Sequence, residues 1–134
     1  MAIKSNFTEK SRPTKSETLH LNIAKGNISG EINALKFVDK DTKQYVMIIP
    51  SLDVSGYGKT QEKAFQMLKF CMDSFFEHLI TLSDDKMKLL LSALGWKNTF
   101  FKKDFSKAYV DVDGELKNLN AVDDKVELVA LSAA

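Results

Sequence analysis

One cysteine, two prolines, two histidines and a single tryptophan among 134 residues leave several kinds of chemistry without material. A disulfide framework needs paired cysteines, so the lone Cys71 implies a fold held by core burial in a reducing compartment. Its place on the apolar side of a helical stripe marks it as a small buried hydrophobe rather than a reactive thiol. A structural zinc site needs clustered Cys and His, which Cys71, His20 and His78 do not supply. No apolar run approaches the roughly 20 residues that cross a bilayer. Met1 to Phe7 is polar and lacks the apolar stretch of a signal peptide. The expectation is a soluble, cytoplasmic protein with no membrane, metal or cofactor.

Charge of one sign is also scarce overall, since the net charge is only +1. Its distribution is uneven. Residues 94–107 hold four lysines against one aspartate, whereas residues 108–134 hold two lysines against six acids. Patches of this density are ordinary solvated surface, and they also suit a charged partner.

What the chain does have is apolar material, 44% of its residues, in a length that buries about two-thirds of its unfolded surface. One domain over residues 18–134 is expected, preceded by a flexible arm over 1–17 rich in Lys, Ser and Thr. Thr18 to Ala24 alternates Leu19, Leu21 and Ile23 with polar residues, as a half-buried strand does. Glu31 to Val38 reads as the next strand, joined by Asp39-Lys40-Asp41-Thr42-Lys43 to a third.

That third strand, Gln44 to Pro50, is apolar on both faces and suits the interior of a sheet. Leu52 and Val54 alternate with Asp53 and Ser55 as a neighbouring strand, and Gly56-Tyr57-Gly58 reads as a turn. Thr60 is a good N-cap for a long amphipathic helix, with Glu62 in its first turn. Ala64, Leu68, Cys71, Phe75, Leu79 and Leu82 form its stripe, widened by Phe65, Met72, Phe76 and Ile80. A strand ending in Pro50, a second short strand, and Gly58-Lys59-Thr60-Gln61-Glu62-Lys63-Ala64 opening a helix resemble the HicB-like antitoxin family, a reduced ribonuclease-H-like module. The likeness covers roughly residues 31–82. Lys59 and the turn from Leu52 to Tyr57 depart from the family pattern.

Ser83 is a second N-cap, followed by Asp84 and Asp85 and by a shorter helix, lined by Met87, Leu90, Leu91 and Leu94, that ends at Gly95. Trp96 to Lys107 interleaves aromatics with lysines. Ala108, Val110 and Val112 alternate up to an Asp113-Gly114 turn, and Val126, Leu128 and Ala130 alternate near the C-terminus. The predicted fold is α+β: an antiparallel sheet with the long helix on one face, the shorter helix after it, and C-terminal strands.

Catalytic machinery is not apparent. Gly58-Lys59-Thr60 lacks the first glycine of a phosphate loop. The acids lie in a hairpin, on an outer strand and at a helix start rather than converging on a metal pair. No residue is singled out as catalytic, cofactor-binding or metal-ligating. The resemblance implies a non-catalytic antitoxin or regulator that binds a small, toxin-like protein of the HicA type. The alternative is a nucleic-acid-binding regulator using Trp96, Lys97, Lys102, Lys103 and Lys107, because aromatics stack on bases and lysines meet phosphates. The competing structural reading buries Trp96 and keeps the lysines wet. A homodimer is expected as well. Thr18 to Ala24 and Lys125 to Leu131 both suit a sheet edge, and the second, apolar on both faces, needs cover from another chain.

Overall fold

The computed structural model of the chain describes residues 4–10, 12–14, 16–22, 27–98, 104–108 and 121–133. These residues adopt the expected α+β architecture, with two helices whose apolar sides share one core with a nine-stranded, predominantly antiparallel sheet. The sheet is built around β4 (Asn27–Asp39), which is longer than the stretch from Glu31 to Val38 that alternation predicts. One of its sides pairs with β9 (Ala121–Ala133) over most of its length. The other side is shared between β3 (Ser16–Asn22) and β5 (Tyr45–Ile49). Gly30 makes this continuous run feasible: its φ is +139°, and a side chain there would overlap the Thr18 carbonyl of the neighbouring strand.

Residues of even number along β4 face the helices, so Ile28, Ile32 and Ala34 lie in the core with Leu19, Leu21, Met47, Ile49, Val129 and Leu131. The hairpin from β4 to β5 is organised by Asp39, whose carboxylate accepts from the amides of Asp41 and Thr42 at 3.1 and 2.9 Å. The strand after Pro50 is shifted from its expected place. Leu52 is buried in a turn, its amide donating to Ile49 O at 3.2 Å, and β6 is Val54–Gly58. Gly56 and Gly58, expected as a turn, are therefore strand residues. They are glycines because the helix rests directly on them: a Cβ at Gly56 would strike the Leu68 nitrogen and the Ala64 carbonyl.

That helix, α1 (Gln61–Thr81), starts at Thr60, whose hydroxyl accepts from the Lys63 amide at 3.1 Å. Its buried line is Ala64, Leu68, Met72, Phe76 and Leu79, while Cys71 and Phe75 flank it half-buried. The helix turns its Met72–Phe76 side to the sheet, a rotation that periodicity alone does not fix. The edge of β6 is covered from the same helix, the Tyr57 amide donating to Met67 Sδ at 3.5 Å. The next helix, α2 (Asp84–Ala93), is capped by Ser83 and closed by Gly95 at φ +95°. Gly95 N–H donates to Ser92 O at 3.0 Å and Trp96 N–H to Leu91 O at 2.9 Å, a Schellman ending with Trp96 and Leu91 as its apolar contact.

The expected loose arm over residues 1–17 is bound to the sheet where it is described. β1 (Lys4–Ser5) runs parallel to the start of β4, and β2 (Thr8–Lys10) runs antiparallel to the end of β9. Between them Phe7 is fully buried and stacks on Phe76, with ring centroids 6.4 Å apart and planes inclined by 15°. The chain then crosses to β3, and on the way the backbone of Thr14 exchanges two hydrogen bonds with the Asn33 side chain, at 2.8 and 3.0 Å. One aromatic residue in a polar stretch has no periodicity to reveal it, yet its burial outweighs the polar composition around it.

Two short strands, β7 (Lys97–Asn98) and β8 (Asp104–Ala108), pair with each other, and β8 pairs with β3. The order is β2-β9-β4-β3-β8-β7, with β5 and β6 continuing from β4. Of the two strands expected at a sheet edge, β3 lies instead between β4 and β8, whereas β9 is flanked on its far side by β2 only over Ala130 to Ser132, and no described strand pairs with that side from Val122 to Val129. Ala108 closes β8; the expected strand through Val110 and Val112 and the Asp113-Gly114 turn lie outside the described residues.

Candidate binding cleft

The ladder between β4 and β9 is regular from Gly30 to Phe37 and then slips: Phe37 opposes Val126, but Asp39 opposes Ala121. One residue of β4 therefore faces four of β9, and the extra length bows outward as a bulge. The bow opens a cleft of about 340 Å³ against the start of β5 and the first residue of α1. Its apolar lining is Phe37, Val38, Tyr45, Val46, Met47 and Val122, and its polar lining is Lys36, Gln61, Lys125 and Glu127. A mostly apolar lining with a few polar groups is the usual make-up of a binding site, at the low end of the size range of about 300–1,000 Å³.

Lys36 sits among the inward-facing positions of β4, where Ile32 and Ala34 are core residues. Its ammonium lies 2.9 Å from one Glu9 oxygen and 3.8 Å from Glu127, and its side chain is largely covered. The ion pair joins three adjacent strands, β2, β9 and β4, across one face of the sheet. Beyond it a second hollow of about 440 Å³ continues between β2 and the first turns of α1, lined by Glu9, Glu62, Phe65, Gln66 and Lys69. Lys69 stands 5.9 Å above the Phe65 ring. Lys125, exposed in the cleft lining, has no ion-pair partner among the described residues.

The aromatic and basic segment is placed differently. Trp96 is 2% exposed, and its indole N–H donates to Ser51 O at 2.9 Å, so its ring is sealed from any base. Lys97 and Lys107 belong to the paired strands β7 and β8. Lys97 opposes Ser106, the residue before Lys107, so the two lysines hold register positions of opposite parity. Lys102 and Lys103 lie outside the described residues.

Trp96 instead completes a buried polar cluster. After Glu31, β3 leaves β4, and β5 joins only at Leu35, which strands the Asn33 amide between them. The Glu17 carboxylate fills that gap, accepting from Asn33 N–H at 3.0 Å and from Ser51 Oγ at 2.7 Å. Glu17, Asn33 and Ser51 are all buried. No buried side-chain polar atom among the described residues is left without a partner. This cluster joins sheet segments and presents no reactive group to solvent.

Other candidates stay apart. His20 and His78 are exposed on a strand and on a helix, Asp39 shapes a hairpin, and Asp84 and Asp85 occupy the first turn of α2. Among the described residues no three of His, Cys, Asp and Glu lie close enough to hold a metal ion. Neither Glu17 nor Lys36 stands out by sequence reasoning. The one available signal was Lys36, a charge at an inward position within the apolar run from Ile32 to Val38. Compared with family models, with curated proteins and with solved structures, the chain matches none.

Proposed function

We propose that this chain is a non-catalytic, HicB-like interaction protein that works as a homodimer in the cytoplasm and holds a small protein partner at the cleft beside β9. Its resemblance to the antitoxin family supplies the class of partner, a small toxin-like protein. The way α1 begins supports that resemblance. Thr60 caps the helix, Ala64 is fully buried, and Gly58 admits close packing of Lys63 and Ala64, which gives each fixed residue of the Gly-x-Thr-x-Glu-x-Ala pattern except Glu62 a packing or capping reason.

The observation that carries the reading is the cleft itself. Apolar walls open beside a stretch of β9, Val122 to Val129, on whose outer side no described strand pairs. A pocket next to a free strand edge suits an extended segment of a partner, whose backbone adds to the edge while one side chain fills the pocket. Burial of Trp96 weighs against the nucleic-acid reading, because stacking needs an open ring.

The test is co-expression of the tagged chain with a small basic reading frame adjacent to its gene. The expected result is a complex that survives gel filtration and is lost in the double variant Val122→Asp, Lys125→Glu, while that variant keeps the melting temperature of the wild type. A partner retained by the double variant would remove the cleft from the interface. Steeply salt-dependent DNA or RNA binding with no protein partner would favour the regulator reading instead.

A further inference from the structure

The homodimer needs a surface: β3 is engaged between β4 and β8, and the outer side of β9 from Val122 to Val129 is the edge assigned above to the small protein partner. On the solvent side of α1, Phe70 is 72% exposed, the most exposed of the described large hydrophobic residues. Buried Ala64, Leu68, Met72, Phe76 and Leu79 define the opposite side of the helix, so Phe70 points directly away from the sheet. Met67, one turn earlier, is half-buried against β6 and extends the apolar surface.

The residues around Phe70 are arranged symmetrically. Lys63 and Glu77 each lie seven positions away, two helical turns in either direction and within about 20° of the same heading. Gln66 and Ser74 each lie four positions away. All four are exposed, and among the described residues neither Lys63 nor Glu77 has an ion-pair partner. A two-fold axis through Phe70 turns position 70 − n of one helix onto position 70 + n of the other. Antiparallel packing therefore sets Phe70 on Phe70, Gln66 opposite Ser74, and Lys63 opposite Glu77 at both ends. A closed dimer needs such self-complementarity, and two opposite charges equidistant from an exposed aromatic provide it. Parallel packing would set lysine on lysine and glutamate on glutamate.

We infer that a second copy of this chain docks on the solvent side of α1, its own α1 antiparallel and centred on Phe70, with Lys63–Glu77 ion pairs closing both ends. The inference rests only on the dimeric part of the proposed function; partner capture at the cleft can fail without affecting it.

Sedimentation equilibrium of the full chain tests it, with Lys63→Glu, Glu77→Lys, the two combined, and Phe70→Ser. These positions are exposed, and thermal melting verifies that each variant folds. Each single charge reversal is expected to weaken the dimer about tenfold at low salt, because both ends change from attraction to repulsion. The combined exchange restores wild-type affinity, and Phe70→Ser gives a monomer. A wild-type chain that stays monomeric at about 100 μM, a dimer unaffected by Phe70→Ser, or a combined variant no tighter than the single ones overturns the inference.

Discussion

At the scale of single residues, several positions do work that their chemical type would not suggest. Glu17 is an acid inside the protein because the divergence of β3 and β5 leaves the Asn33 amide in need of an acceptor. Glu17→Ala would strand that amide and the Ser51 hydroxyl, at a cost of about 2 kcal/mol, whereas Glu17→Gln keeps an acceptor oxygen and should lose about half as much. Urea unfolding of the two variants measures the difference; equal midpoints would mean that the hydrogen bonds carry no stability. Gly56 is a second case. Gly→Ala in a strand is ordinarily neutral or favourable, but here the methyl group would press into the α1 backbone at Ala64 and Leu68. Gly56→Ala is expected to lower stability by about 2 kcal/mol through overpacking, and a variant as stable as the wild type would show that the helix can lift away freely.

At the scale of elements, the N-terminal segment has the largest consequence. β1 and β2 are two and three residues long, too short to hold by ladder bonds alone, and the segment is anchored by Phe7 against Phe76 and by Glu9 with Lys36. Truncating a fully buried Phe costs about 3–5 kcal/mol, a large share of the 5–15 kcal/mol that an ordinary domain has in total. Phe7→Ala should therefore destabilise the whole protein. Hydrogen exchange should also show lost protection at Ala130 to Ser132, where β2 covers β9. A loose arm would give neither effect. The cleft is likewise a property of an element, since it exists because β9 carries more residues than β4 between the same two register points.

At the scale of the molecule, one core includes side chains from both helices, from the N-terminal segment and from the last strand. The single Trp96 lies within it, bonded to the turn before β6. Its fluorescence thus reports on the junction of sheet and helices while far-UV circular dichroism reports on the backbone throughout. The two signals should follow one transition in denaturant, as expected of a single cooperative unit; separate midpoints would divide the chain into independently stable parts. The sequence by itself determined what depends on near neighbours: the α+β class, the caps at Thr60 and Ser83, the stop at Gly95, the long helix and the alternation of β3 and β9, because spacing and capping act within a few residues. Only the tertiary structure decided what depends on residues distant in the chain. It set β9 beside β4, drew Phe7 into the core, made strand residues of Gly56 and Gly58, buried Trp96 and Glu17, and opened the cleft. Each of these follows from what a strand or side chain meets across the fold, and the energy of that meeting is not contained in the pattern of either partner alone.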